Sequence, residues 1–574
     1  MYRIFLNISI CFIVLLVSCS DDFLNVDPRS SVTDDAVWSS GAGTKQFIND
    51  VYQQTLDGPL YRYTAIDNYQ FDYMFTDDGA INNTGWNEFS FTASNVHAQI
   101  RRWNPCYTNI RKANLGIERL SESTVISEAE KERYLGDLYF LRGLLYFELF
   151  RFYGGVPIIT KPLDRNEDEI AYSRNTEKEV LDFIVSDFQT AADKLPLTVV
   201  NEEYGRATKG AAIGMKAVAY LHGAGTVDAS YYAAAAETAN ILINGDLAGR
   251  YGLFGKDETT IERKREAFIN LFLEPYEGNA EVIFDVQYAY PYRTQGGYQT
   301  IAAPGVPGPG HAYGWGFSAP SQNLVDAFEM QDGSKFDWNN PAQASNPYAN
   351  RDQRLYGTIL YHGVNWKGAP LSLSSNRFDN GIEVTNNLPN GLFSTKSEAT
   401  KTGYYIRKHQ NEPVICGPDN RSGIGDGGNV IVLRYAEILL TYAEAQNEAT
   451  GPDASVHDAV NQIRRRAGQP DLPTGLGQTE MRQRIRNERR VELAFESKRF
   501  FDIVRWRAGE EYLNQPIRGM NAKYVRNAST GEISITYTPF NVFNKRFNAP
   551  KNYLLPIPQS AINRNPNLVQ NPDW

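Results

Sequence analysis

The sequence predicts a mainly α-helical fold, in which helix pairs of tetratricopeptide type stack as an α-superhelical scaffold around one loop-rich insertion. Apolar residues recur at helical spacing from Arg101 to about Gly249 and again from Val432 to Trp506. Gly and Pro occupy 12 of the 32 positions from Ala289 to Pro320, so no helix persists there. The long helical segments also carry start and stop signals. No strict tetratricopeptide repeat with its full set of signature residues is present.

The most regular segment runs from Glu128 to Tyr153, with Tyr134, Leu138, Leu141, Leu145 and Leu149 at helical spacing and Gly154, Gly155 and Pro157 as its stop. Thr176 opens the next helix as N-cap, Glu179 completes a capping box, and Pro196 follows its last residue, Leu195. Two Ala-rich helices over Ala207–His222 and Ser230–Asn244 offer small side chains where neighbours approach closely. Helical pattern resumes over Val432–Ala449, Ala454–Ala467 and Gln478–Trp506. The tail, Pro550–Trp574, reads as extended and pinned by Tyr553, Leu554, Leu555 and Ile557.

The N-terminus sets the compartment. Arg3 precedes an apolar run from Ile4 to Val17 that is too short to span a bilayer and reads as an export signal. It closes on Leu16-Val17-Ser18-Cys19, which resembles the lipobox of bacterial lipoproteins and implies Cys19 as the acylated mature N-terminus. Acyl chains anchor a body to a membrane without a spanning segment. The expected organisation is a signal peptide over 1–18, a helical region over 19–250, a loop-rich ligand-binding insertion over 251–429, and a helical region with extended tail over 430–574. Residues 19–574 then form one compact unit. Cys106 and Cys416 are the remaining unassigned thiols of the mature chain, and their spacing leaves open whether they pair.

Composition narrows the chemistry. A formal charge of -10 offers no general attraction to nucleic acid, and 6 His and 4 Cys leave little material for a metal centre. There is no HExxH, GxSxG, GxxxxGK[ST] or CxxC pattern, so the zinc-protease, esterase, P-loop and thiol-redox mechanisms lack a nucleus. Gly423, Gly425 and Gly428 satisfy GxGxxG, but no strand precedes them and no helix follows, so the segment reads as a loop. Glu488, Glu492 and Glu496 lie four apart with Arg489, Arg490 and Arg499 beside them, which reads as ion pairing along one helix rather than a glycosidase carboxylate pair. The adjacent Asp77 and Asp78 are expected to diverge on a loop.

Aromatic residues make up 12% of the chain, and some of them interrupt Gly- and Asn-rich stretches. A flat ring stacks on the C–H face of a pyranose while nearby Asn, Asp and Arg groups bond its hydroxyls. Two segments have that character. One runs from Asp77 to Asn87 and contains Trp86; the other contains Tyr288, Tyr290, Tyr292, Tyr298, Tyr313, Trp315 and Phe317.

The C-terminal run Glu488-Arg-Arg-Val-Glu-Leu-Ala-Phe-Glu496, continuing through Lys498-Arg-Phe-Phe-Asp502 to Arg505-Trp506, resembles the SusD/RagB family of outer-membrane nutrient-binding lipoproteins. So do Leu141-Arg-Gly-Leu-Leu-Tyr-Phe147 with Tyr153-Gly-Gly-Val-Pro157, Leu433-Arg-Tyr-Ala-Glu-Ile-Leu-Leu440, Tyr553-Leu-Leu-Pro-Ile-Pro558 with Asn565-Pro-Asn-Leu568, and the opening Asp22-Phe-Leu-Asn25 with Asp27-Pro28. The resemblance implies a non-catalytic surface lipoprotein of Bacteroidetes-type bacteria, acting in polysaccharide utilisation without a metal or cofactor. It would capture oligosaccharide or polysaccharide and deliver it to a SusC-like TonB-dependent transporter. The ligand arc implied for this chain draws Trp86 and Asn87 from the first segment and Tyr290, Tyr292, Tyr313 and Trp315 from the second. A surface glycan hydrolase, or a relative that takes peptide or glycoprotein, are the alternatives.

Overall fold

The computed structural model describes residues 37–56, 75–81, 89, 91–96, 100–163, 171–289, 292, 304, 316–386, 400–413 and 428–574. Six helices, α1 (Gly41–Thr55), α2 (Trp103–Glu122), α3 (Glu128–Tyr153), α4 (Glu177–Lys194), α5 (Lys209–Thr226) and α6 (Tyr231–Ile243), pack each on the next along the chain. α7 (Ile261–Asn270) belongs to the insertion. The stack then resumes where it stopped, because α8 (Tyr435–Thr450) packs on α6, with α9 (Ala454–Arg466) and α10 (Gln478–Glu492) packed on α8. One hydrophobic core runs from Ile48 to Leu568. Among the described residues no helix is long and apolar enough to cross a membrane.

The expected capping box of Thr176 and Glu179 opens α4, and Gly154 ends α3 with φ 71°. A second box, of Ser127 and Glu130, opens α3. These bonds satisfy amides that a helix start otherwise leaves without acceptors. From Tyr134 onward α3 is buried on nearly all faces, which makes it the central helix of the stack rather than an amphipathic surface one. Close packing requires Gly143, where an added Cβ would lie 2.9 Å from the Phe188 ring. Ala211, Ala212, Ala217 and Ala219 of α5 are buried near Ala235, Ala236 and Ala239 of α6, as the Ala-rich composition requires of two helices in close contact.

Strands appear where the sequence pattern is irregular. β1 (Gly79–Ile81) pairs with β3 (Ser318–Pro320), β2 (Val282–Val286) pairs with β4 (Val430–Arg434), and β5 (Pro516–Arg526) pairs with β6 (Ile533–Asn544), all antiparallel. The last is a long hairpin absent from the sequence reading. Val432 to Arg434 belong to β4, so the helix expected from Val432 starts at Tyr435. In the tail Tyr553, Leu555 and Ile557 are buried, Leu554 is half-buried, and Gln559–Arg564 forms a short helix.

The charged helix differs from expectation in two ways. It ends at Glu492, and after Leu493–Lys498 a separate helix α11 (Arg499–Arg505) begins, because Phe495 and Ser497 adopt φ of 61° and 59°. The three glutamates are also buried and pair with cations from distant segments rather than with their sequence neighbours. Glu492 is bound by Arg354 at 3.0 Å, Arg434 at 2.7 Å and Arg466. Glu488 meets Arg354 at 2.5 Å and Arg464 at 3.0 Å, and Glu496 meets Lys408 at 2.5 Å and Arg434 at 2.7 Å. Adjacent side chains on a helix diverge, so Arg489 and Arg490 face other partners. Burial opposes ionisation of Glu492, but Arg466, Arg434 and Arg354 outweigh it and hold its carboxyl well below the usual range.

Candidate functional site

The pairing of β1 with β3 joins segments more than two hundred residues apart. Gly79 faces Pro320, Ala80 faces Ala319, and Ile81 faces Ser318. Ile81 is the residue from which the Trp86 segment departs, and Ser318 closely follows Trp315. One end of this two-stranded platform is therefore the root of both aromatic segments. The insertion has its other root at β2, where Val286 faces Val430. There the Tyr288 amide donates to Asn429 Oδ1 at 2.8 Å, and Asn429 Nδ2 and Gln287 Nε2 donate to the Asp285 carboxylate at 3.0 and 2.6 Å. Burial pushes the Asp285 carboxyl up to about 6, against these two amide bonds.

The platform is anchored by buried charge. Arg499 donates to Asp77 from Nε at 2.9 Å and Nη2 at 3.1 Å, and Arg490 Nε donates to Asp78 at 2.7 Å while its Nη2 lies 2.8 Å from Asp77. Ser321 completes the join by donating its amide to Asp78 O at 2.8 Å and its hydroxyl to Asp77 O at 2.6 Å. From the far end of the β5–β6 hairpin, Lys545 Nζ donates to Thr76 O and Gly79 O. Burial opposes the charge of Asp77, yet Arg490 and Arg499 hold its carboxyl at about 2. In Asp78 burial prevails over Arg490 and, with the Asp77 charge beside it, raises the carboxyl above its ordinary value. Burial lowers the Lys545 amine to about 7, with Asp77 and Asp78 resisting.

Asp77 and Asp78 therefore do not diverge on a ligand-facing loop. Both are buried, and the residues that follow them, Gly79–Ile81, form a buried strand. Phe89, beyond the Trp86 segment, packs inward against Phe75 and Phe547, each with ring centroids 5.3 Å apart. Of the predicted ligand residues, Tyr292 is described and is 94% exposed. Trp86, Asn87, Tyr290, Tyr313 and Trp315 lie outside the described residues, as do Cys19, Cys416 and Gly423 to Asp426. Cys106 is a buried free thiol, pushed up to about 12 by burial. Sequence reasoning missed Arg490, Arg499, Ser321 and Lys545 as supports of the platform. The two arginines were in view as part of the C-terminal motif, but their partners lie some four hundred residues away in sequence.

The motif residues share a pattern: charged groups committed to interior pairs. Arg142 donates to Asp187 twice at 2.8 Å and to Asn114 at 2.8 Å, and Arg505 holds Glu444 at 2.5 Å. A likeness in these residues therefore reports a shared frame rather than a shared ligand. A sequence profile described as the SusD family matches residues 280–574, and one described as starch-binding associating with outer membrane matches residues 22–221. A SusD-like protein of Formosa agariphila, P38, is 27% identical over 545 residues, covering 90% of this chain and 94% of its own. A crystal structure of a SusD-like protein from Bacteroides fragilis superposes with TM-score 0.75 at 30% identity, covering 96% of this chain and 100% of its own. A second structure from that organism, a SusD-like carbohydrate-binding protein, gives TM-score 0.73 at 25% identity over 93% of this chain and 100% of its own. With one profile spanning its C-terminal half, another most of the remainder, and a superposable relative along almost its whole length, the chain belongs to the SusD family.

Proposed function

We propose that this protein is a glycan-binding lipoprotein, held at the outer membrane through acylated Cys19, that captures oligosaccharide or polysaccharide and hands it to a SusC-like TonB-dependent transporter. The observation that carries the reading is the β1–β3 pairing, which roots the two aromatic segments at one end of a charge-anchored platform. Two ring-bearing segments that share a root suit a ligand that presents several apolar sugar faces in succession. Membership of the SusD family, a carbohydrate-binding relative of the same fold, and a profile described as associating with the outer membrane support the same conclusion. The carboxylates on which a hydrolase would have been built, Glu488, Glu492 and Glu496, are buried among arginines.

Native affinity gels cast with a panel of polysaccharides test the reading. Retardation by one glycan, without release of reducing ends on prolonged incubation, is the expected result. Release of reducing ends by the pure protein would favour the hydrolase. Trp315→Ala should weaken retardation and leave the thermal transition unchanged; unaltered affinity would remove Trp315 from the site.

A further inference from the structure

Away from the platform, α2, the chain following α3, and the short helix of the C-terminal tail enclose a cleft of about 310 Å³. Its volume reaches the range of small-molecule sites. The floor is apolar and buried, formed by Trp103, Ile110, Pro157 and Leu568, and the half-buried Tyr107 and Ile159 continue it up the walls. Three basic side chains, Arg111, Lys161 and Arg564, stand exposed at the mouth. Among the described residues no carboxylate pairs with any of them, and the cleft's described lining contains no acid.

Three polar groups of the cleft are already committed, and Asn104 and Ser560 of its lining are exposed. The Tyr107 hydroxyl donates to Pro157 O at 2.9 Å, Asn565 Nδ2 donates to Tyr172 O at 2.8 Å, and Arg111 Nε donates to Leu163 O at 3.1 Å, which orients its guanidinium at the rim. A sugar seated here would lose water from its hydroxyls and find few partners for them, at a cost that argues against it. An aliphatic or aryl body would instead satisfy the walls, and one anionic group would meet the three cations. We propose that this cleft is a binding site for small amphiphilic anions with an apolar body and a single carboxylate, the fatty-acyl class. The site shares no residue with the aromatic segments and does not depend on the glycan reading.

Isothermal calorimetry of the purified full chain with decanoate tests it, with decanol and glucuronate as comparators. Expected are one decanoate per chain, weaker binding of decanol, and no binding of glucuronate. Arg111→Ala, Lys161→Ala and Arg564→Ala, all at exposed positions, should each weaken decanoate by about two- to fivefold, and the triple variant by more. Ala561→Phe, which adds a ring to the wall, should abolish binding with the circular-dichroism melt retained. Absence of decanoate binding to the wild type, undiminished binding in the triple variant, or glucuronate binding as tight as decanoate would each overturn the proposal.

Discussion

Arg434 at the end of β4 and Glu492 at the end of α10 meet at 2.7 Å with side chains 1% and 0% exposed. The pair joins two family motifs, one running from the end of β4 into α8 and the other from the end of α10 into α11. Arg354 and Arg466 converge on the same carboxylate, so Glu492 balances charge from three directions.

Glu492→Ala should therefore destabilise the protein by about 3–5 kcal/mol, the usual consequence of leaving a buried cation without its partner. Urea unfolding measures this. Arg465→Ala provides the contrast, because Arg465 is 56% exposed in its pair with Asp471 and its loss should change stability by less than about 1 kcal/mol. Equal effects from the two substitutions would contradict a structural role for the buried network.

Arg490→Ala should act on ligand capture through the platform. Removing this guanidinium leaves Asp77 with Arg499 and deprives Asp78 of its direct cation. Glycan affinity in gels should fall by about 0.5–2 kcal/mol, as for other residues that position a site without touching it. Unchanged affinity would mean that the aromatic segments hold their positions independently of their root.

Acid should destabilise the fold before it affects a typical surface. Asp77, Glu496 and Asp502 are held at about 2 despite burial, by Arg490 and Arg499, by Arg434 and Lys408, and by Arg489 and Arg505 respectively. The unfolded chain, whose carboxyls titrate at ordinary values, takes up protons first as pH falls. The stability these groups contribute is thus complete above about pH 5 and is lost progressively towards about pH 2. Lys545 has the opposite sign: burial lowers its amine to about 7, so the unfolded chain binds the extra proton from there to about 10.5, and stability from this group rises across that window. Melting temperatures across pH for wild type and Lys545→Met should show the alkaline rise reduced in the variant.

Gly143→Ala tests the closeness of α3 and α4. Alanine favours a helix over glycine by about 1 kcal/mol, yet its Cβ would sit 2.9 Å from a fully buried Phe188 ring. Overpacking should prevail and cost about 1–3 kcal/mol. A variant more stable than wild type would show that the two helices can move apart.

The helices legible in the sequence were those whose evidence is local. Glu128 to Gly154 and Thr176 to Leu195 each carry a period and a stop within thirty residues, the second with its cap as well, and the structure follows them closely. The end of α10 was not legible, because Phe495 and Ser497 reverse the backbone without a Gly or Pro to mark the place. The β1–β3 pair was invisible for another reason: Gly79–Ile81 and Ser318–Pro320 are each three residues long, and the buried charges that flank their pairing come from α10, α11 and Lys545. For the candidate site, composition identified the aromatic segments, while their common root emerged only from the folded chain.

Because α8 packs directly on α6, the helical stack closes over the whole stretch between them. A lineage can therefore lengthen or shorten the loops of that stretch while every helix on either side keeps its neighbour, provided Arg354 and Lys408 keep their places beside Glu492 and Glu496. Descendants adapting to a new ligand would diverge fastest there, and the buried arginine motifs would change slowest. Two such proteins could share a recognisable skeleton long after they had ceased to share a ligand.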